Sequence, residues 1–396
     1  MGRISCPEHT ALGGAAMSKS ADVIIVGAGM AGVSAGYALA HDGAAVMLLE
    51  RESQPGYHST GRSAALFSEI YGPASIRKLS TASRDFLSNP PGESFGSSVL
   101  SPRGEISLGS AEKASQVEAL LREGHAKGVR VFTLDEAQIR EAVPILRPGL
   151  FVVGAFEPGA MDIDVHSLHQ GFVRGLRRAG AVLVTGAEVV HASRRAGSWH
   201  LRGARGERWT APVVVNAAGA WADVFASLAG VSTIGLTPRR RTALTLDLPP
   251  ELDAHAWPLA GDIDESFYFK PDAGRLLLSP GDATPVEPQD VQAEDLDVAL
   301  AIDRFEHATT LTVERPASAW AGLRSFVDDG EPVVGYASDA EGFFWLAGQG
   351  GYGIQTAPAM GQACSILVGR QPWPRVWSGL GLSAHALSPA RISGKA

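Results

Sequence analysis

Cysteine is almost missing from the 396 residues: only Cys6 and Cys364 occur. Two thiols cannot build a disulfide framework or a thiolate metal site, and they fit a reducing compartment, so no metal is expected. Long apolar runs are missing as well, none approaching the ~18 residues that would span a bilayer. Nor is there an excess of positive charge, since 34 Lys and Arg face 42 Asp and Glu for a formal charge of -8. That balance argues against nucleic acid or another polyanion as partner. Internal repeats and low-complexity tracts do not occur. Residues 1–20 lack both a continuous apolar stretch and a helical period. They read as an unstructured extension, with Met17 as an alternative start, rather than as a secretory leader. A cytoplasmic enzyme is the class left standing.

What the sequence does have is small residues and buried strands. Apolar residues make up 45% and charged residues 19%, so burial can outweigh chain entropy. The length exceeds the ~250–300 residues at which single cores stop growing, which implies two domains. From Ala21, "ADVIIVGAGMAGVSAGYALAHDGAAVMLLE" reads as a buried strand, a Gly-rich turn, a helix from Met30 to His41, a stop at Gly43 and a second buried strand. Val23 to Val26 form the β-branched run of a parallel strand covered on both faces. Further on, Asp162 and Asp164 offer capping carboxylates to the helix in "VHSLHQGFVRGLRRAG", whose Leu168, Phe172 and Leu176 recur every fourth residue. "AVLVTGAEVV" and "APVVVNAAGAWA" add strands to the same sheet, and "EGFFWLAGQGGYGIQTAPAMGQACSILVG" repeats strand, Gly-rich turn and helix. Two segments differ in character. Residues 95–149 hold short strands and an amphipathic helix around Ala111 to Gly128, and residues 231–320 read as strands between Pro, Gly and Asp turns. The expected architecture is α/β. A Rossmann-type nucleotide domain is assembled from 21–95, 150–225 and 322–380, a mixed-sheet α+β cap from 96–149 and 226–321 is inserted into it, and a C-terminal tail follows from 381.

Gly27-Ala28-Gly29-Met30-Ala31-Gly32 fits the dinucleotide fingerprint in its informative context, after a strand and at the start of a helix. The first Gly permits the turn and the second lets backbone approach a pyrophosphate. The third lets helix and strand pack, and the helix N-terminus attracts phosphate. Glu50 ends the second strand, where a carboxylate accepts from ribose hydroxyls and repels a 2′-phosphate, which disfavours NADP. "STGRSAA", Ser59 to Ala65, places small residues and Arg62 where a cofactor would run from pyrophosphate to ring; a helix start with a solvated arginine is the alternative. "GQGGYGIQTAPAMG" adds a third Gly-rich turn before a helix, aimed to stabilise negative charge on the pyrimidine edge of a reduced flavin. Three such turns exceed what an NAD domain requires, so FAD is the expected cofactor.

Together with "GYHSTGRSAA", "DIDVHSLHQG", "VVVNAAGAWAD" and "WAGLRSF", these segments resemble the D-amino-acid oxidase superfamily, and within it look most like bacterial FAD-dependent D-arginine dehydrogenases. The likeness runs from Asp22 to the C-terminal "LSPARIS". It implies a non-covalently bound FAD and oxidation of a D-amino acid by hydride transfer from Cα to flavin N5, giving an imino acid that water converts to a 2-oxo acid and ammonia. It implies that Arg241 and Arg324 clamp the substrate carboxylate, that Tyr71 and Tyr268 add hydroxyl contacts, and that Glu105 meets a distal basic group. Gly322 and Gly351 would offer backbone near the amine. The implied cofactor contacts extend to Arg51, Ser59, Thr60, Gly61, Arg62, Ser63 and Ala64, to Val189, Ala218, Gly219 and Trp221, and to Gly350, Tyr352, Gly353, Ile354 and Gln355, with Gly322, Arg324 and Gly351 shared. The sequence departs from the dehydrogenase pattern at Leu66, where a histidine is expected, and at Ser68, where the pattern has threonine. Leu259 and Gly261 replace the expected methionine and valine.

Hydride transfer needs the reacting atoms about 3–3.5 Å apart, so positioning matters more than acid–base chemistry. Arg324 in "WAGLRSFV" fits a bidentate clamp, with an ion pair to Asp328 or Asp329 as the alternative. In "RRRTAL", alternation puts Arg241 on the opposite face from Arg240, Thr242 and Leu244, so one face meets substrate. Periodicity does not say which. Tyr268 alternates against Phe267 and Phe269, which are expected to pack into the cap. Position alone makes Glu105 equally an edge charge in water. His58 is the nearest base in sequence, with a turn or cofactor contact as its plainer role, and no strong base is needed if the amine binds neutral. The electron acceptor, a quinone or dioxygen, stays open. So do an oxidase of glycine or sarcosine and a non-catalytic FAD-binding protein.

Overall fold

The computed structural model describes residues 19–96 and 98–392. Cys6, Met17 and most of the expected N-terminal extension lie outside them. One half of the molecule is built on a six-stranded sheet in the order Val182–Val184, Val46–Leu49, Val23–Val26, Val213–Asn216, Phe343–Ala347 and Val333–Tyr336. The first five strands run parallel and the last is antiparallel. Their nearly unbroken apolar runs suit a sheet covered on both faces. The helices Met30–His41, Val165–Arg178 and Ala357–Val368 cover one face. On the other, a four-stranded sheet and the helix Ala222–Leu228 bring Trp199, Trp209 and Phe225 against Ile24, Val214 and Phe343.

The first helix keeps the residues read from sequence and stops at Gly43, where φ is 90°. Val182–Val184 joins the six-stranded sheet, but Val189–Arg195 does not. A turn at Gly186 separates them, and the mostly exposed second strand belongs to the four-stranded sheet, which water covers on one side. Asp164 caps its helix, accepting from the Ser167 N–H at 2.8 Å. Asp162 is no cap, because Arg103 at 2.7 Å and Lys270 at 2.5 Å hold it.

The other half is a nine-stranded mixed sheet, ordered Thr284–Pro285, Thr237–Leu246, Arg275–Ser279, Tyr268–Asp272, Leu259–Asp262, Glu105–Gly109, Val153–Glu157 and Phe132–Asp135, with Ser318–Phe326 also paired to Thr237–Leu246. Leu244, Phe269 and Leu278 pack under Phe305 of the helix Asp295–Ala308. Val153–Glu157 sits between two antiparallel neighbours of this sheet, so the change of domain drawn at 150 falls one strand later. Ser318–Phe326 pairs residue by residue along the Arg241 strand, so a boundary at 322 would cut a continuous ladder. At the ends, Lys19–Ser20 pair with residues 209–210, and the segment from 381 is anchored rather than loose because Leu382 and Leu387 are buried. Among the described residues no helix is long and apolar enough to cross a membrane.

Candidate active site

A cavity of about 420 Å³ opens at the carboxyl ends of the parallel strands and is lined from both sheets. Gly27, Gly29, Met30 and Ala31 line it at the start of the first helix. That helix has no acidic residue in its first turn and no side-chain cap from Gly29; the Met30 N–H donates to Thr60 Oγ1 at 2.9 Å, and the rest of its positive end is left for a pyrophosphate. Gly27 takes φ 101°, and a Cβ there would stand 2.4 Å from the Ala217 carbonyl oxygen, which admits glycine alone. Glu50, 8% exposed, accepts from the Ala28 N–H at 2.7 Å and the Glu52 N–H at 2.9 Å. It still lines the cavity, where its remaining lone pairs suit ribose hydroxyls.

Arg51, Ser59, Thr60, Arg62, Ser63 and Ala64 line a second side, Val189, Ala218, Gly219 and Trp221 a third, and Gly322, Arg324, Gly350, Gly351, Gly353 and Ile354 the rest. Four expected contacts lie off the wall. Gly32 lets helix and turn pack, since a Cβ would stand 2.0 Å from the Gly27 carbonyl oxygen. Gly61 closes a turn on Gly56 at 2.8 Å, Tyr352 meets the Tyr71 ring edge-on at 5.0 Å, and Gln355 accepts from the Ser68 N–H at 3.0 Å. Arg62 is on the wall, but its guanidinium is committed to the carbonyls of Val291 at 2.7 Å and Ala321 at 3.0 Å and to Asp290. It fastens the cap to the cofactor segment rather than following a cofactor inward. His58 binds Glu52 at 2.9 Å and lies 4.6 Å from the Trp221 ring, the plainer of its two roles. An open helix end, a ribose-competent carboxylate and three Gly-rich turns together fit FAD.

Arg241, Arg324, Tyr268 and Gly351 come together on the same cavity. Arg324 Nη1 lies 3.4 Å from Tyr71 Oη, to which it donates, while Asp329 is held by Arg391 at 2.8 Å. A Cβ on Gly351 would stand 2.6 Å from Arg324 Nη1, so only glycine leaves the guanidinium its place. Burial works against the Arg324 charge, but the Tyr71 and Tyr268 hydroxyls and Glu265 outweigh it and hold its pKa above the usual range. Burial and then Arg324 itself push the Arg241 pKa down. Arg240 points to the other face, where Asp297 at 2.8 Å and Glu294 neutralise it. Phe267 and Phe269 are packed into the cap core on either side of Tyr268. Two guanidinium forks left facing one cavity suit a carboxylate.

Residues 22–365 match the family described as DAO, FAD dependent oxidoreductase. The chain belongs to this family. Its cofactor is FAD. FAD-dependent oxidoreductase domain-containing protein 1 of Bos taurus is 26% identical, over 88% of this chain and 81% of its own length. Glycine oxidase of Geobacillus kaustophilus is 26% identical, over 90% of this chain and 94% of its own length. Mitochondrial dimethylglycine dehydrogenase of Rattus norvegicus is 25% identical over 89% of this chain, which spans only 44% of that protein. The crystal structure of the Geobacillus glycine oxidase shares the fold at TM-score 0.79 and 24% identity, covering 90% of this chain and 96% of that one. L-proline dehydrogenase from P. horikoshii does so at 0.82 and 19%, covering 96% and 99%.

This oxidoreductase also carries a carboxyl pair that its sequence does not announce. Glu105 lies off the cavity wall, opposite Glu157 in antiparallel register. Ser68 Oγ donates to Glu157 Oε2 at 2.6 Å and the Glu69 N–H to Oε1 at 3.1 Å, while Glu105 Oε2 is buried without a partner. Burial first, then Glu157 and Glu265, push the Glu105 carboxyl up to about 8 against a hydrogen bond from Ser68. Burial pushes Glu157 up to about 7, opposed by Ser68 and Arg84. Two carboxyls facing each other across one strand pair in a buried setting resist losing both protons. Leu259 is the parallel-strand neighbour of Glu105, and Gly261 pairs with Tyr268, so these two of the four departures from the dehydrogenase pattern fall at this end of the site. Gln349 and Ser325 also line the cavity, and only their nearness to Gly350 and Arg324 in sequence could have flagged them.

Proposed function

We propose that the protein oxidises the Cα–N bond of D-amino acids, with basic side chains foremost, in the manner of D-arginine dehydrogenases. The observation that carries this reading is the pair of guanidiniums, Arg241 and Arg324, facing with Tyr268 the cavity that the cofactor cradle lines. FAD, when bound, supplies the acceptor for the hydride that leaves Cα. The chain's own part is to hold the acid end of the substrate in a two-armed grip, so that one C–H bond is presented in a fixed direction. Tyr71, within reach of Arg324 Nη1, steadies that arm. His58 is engaged with Glu52 and Leu66 has no proton acceptor, so the amine reacts in its neutral form and its lone pair expels the hydride. The imino acid then hydrolyses to a 2-oxo acid and ammonia. Basic substrates require a cationic side chain to reach Glu105 from the cavity, where it would take the place of the proton that burial keeps on this carboxyl.

A second reading, oxidation of glycine or an N-methylated glycine, is favoured by the named relatives, a glycine oxidase and a dimethylglycine dehydrogenase. Anaerobic bleaching of the flavin by D-Arg, D-Met, L-Arg, glycine and sarcosine separates the two. Bleaching by D- but not L-amino acids supports the first reading, and bleaching by glycine or sarcosine alone moves the assignment to the second. No bleaching by any of them sinks both. Peroxide formed in step with substrate in air would make dioxygen the acceptor.

A further inference from the structure

Beside the clamp lies a second cavity, of about 210 Å³, that the proposed reaction does not use. Arg239, Arg241 and Arg324 share its wall with Asp282, Phe326 and Asp328. Strand register brings the three guanidiniums there. Arg239 and Arg241 are two apart on one strand and so point to one face, and Arg324 is the antiparallel partner of Arg239. Arg240, between them, also contributes to the lining, but its guanidinium is paired with two carboxylates of its own, Glu294 and Asp297.

Arg239 and Arg241 each keep a buried Nε without an acceptor. Arg239 also leans over the Phe326 ring, its guanidinium carbon 5.7 Å from the centroid. Of the acids on the wall, Asp282 already accepts from the Thr242 N–H at 2.7 Å and its hydroxyl at 3.0 Å, and Asp328 is exposed to water. Asp282 offsets part of the Arg241 charge and Asp328 sits at the solvent end, so three guanidiniums against two carboxylates leave one positive charge in excess for an entering anion to offset. Ala283 and Asp328, both exposed, mark where the crevice meets solvent. A planar oxyanion matches the arginine fork, and a space of this size admits only a small one.

We propose that this crevice is a second oxyanion site that takes a small carboxylate, with Arg239 as the residue that belongs to it and not to the clamp. The site stands on the crevice alone, so its test does not depend on which amino acid is oxidised. Fluorine NMR of the FAD-loaded protein, titrated with trifluoroacetate, reads it directly. Two bound populations are expected, one at the clamp and one in the crevice. Arg239→Gln weakens the second by about tenfold or more, as expected for loss of one charged hydrogen-bond donor. Asp328→Asn, an exposed change that leaves packing alone, tightens it by about twofold through relief of repulsion. Pyruvate displaces the probe from this population and chloride at equal ionic strength does not; equal displacement by chloride would overturn the carboxylate assignment. A single population abolished by Arg239→Gln supports the crevice and counts against the clamp. Binding that is indifferent to both Arg239→Gln and Asp328→Asn overturns the crevice.

Discussion

Arg240 and Arg241 are adjacent in sequence and opposite in circumstance. One is neutralised by Asp297 and Glu294. The other faces a cavity with a buried Nε and no acceptor. Strand alternation made that division legible before any coordinates, though not which arginine was which. Losing one arm of a desolvated charge pair costs ~2–5 kcal/mol. Arg241→Gln and Arg324→Gln should therefore each lower kcat/KM for the preferred amino acid by about 100-fold, and Arg324→Lys should recover only part because an ammonium cannot form two parallel bonds. Steady-state kinetics on FAD-saturated protein decides it, and unchanged kcat/KM in either variant removes that residue from the clamp. Glu157 illustrates the opposite case, since its pairing with Glu105 depends on how two strands separated by two α-helices and another strand fall into register. The pair has a signature in pH. A free glutamate loses its proton near 4.5, whereas Glu105 holds on up to about 8. Below 4.5 both folded and unfolded chains carry that proton and its contribution to stability is whole. Between about 4.5 and 8 the unfolded chain has lost a proton that the folded chain keeps, so stability falls across that window, by something on the order of a few kcal/mol, and the contribution is gone above 8. Glu105→Gln should flatten this fall in urea unfolding at pH 5, 7 and 9; parallel losses in both proteins would refute a Glu105 carboxyl that keeps its proton in the folded chain. If the Glu105 end meets a cationic side chain, Glu105→Leu should depress kcat/KM for D-Arg or D-Lys far more than for D-Met.

Among elements, the Gly-rich turn and first helix were readable almost to the residue because every cue is local: a β-branched run, three small residues at fixed spacing, a glycine stop. Those cues also make a sharp contrast between two glycines. Gly32→Ala puts a Cβ 2.0 Å from the Gly27 carbonyl oxygen and should give protein that purifies without its yellow colour. Gly43→Ala meets nothing within 4 Å and carries only the strain of φ 90°, so it should keep the flavin and lose about 1 kcal/mol of stability. A colourless Gly43→Ala protein, or a yellow Gly32→Ala one, would contradict the packing described for this turn. Assignment of strands to sheets was less readable. Val189–Arg195 and Val153–Glu157 look like any short strand in sequence, and only long-range pairing decides which sheet each joins. The C-terminal segment misled for a related reason, because one leucine at 382 and one at 387 give no periodic signal yet both reach the core.

In the molecule as a whole, the cavity that fits FAD is lined from both sheets, so bound FAD would bridge the two halves. Binding energy at such a junction becomes stability of the entire fold. With free FAD at 100 times its Kd the gain is about 2.7 kcal/mol. Stripping the flavin should therefore lower Tm by several degrees, and adding FAD back should restore it in a concentration-dependent way; an apoprotein that melts with the holoprotein would show that the junction holds without its cofactor. The broad architecture was legible from composition and motif order, whereas the cap's attachment was not, because Arg62, Ser59 and Trp320 make it through hydrogen bonds to backbone oxygens that no pattern encodes.

Ser59 Oγ donates to the Leu323 carbonyl at 2.7 Å and Trp320 Nε1 to the Arg62 carbonyl at 3.1 Å, so the ribbon bearing Arg324 is bolted to the segment that embraces the flavin. Leu259 and Gly261 sit on a strand that pairs within the cap, with Glu105–Gly109 on one side and Tyr268–Asp272 on the other. Substitutions at Leu259 and Gly261 can thus reshape the cap end of the site while leaving intact the two bonds that hold the Arg324 ribbon.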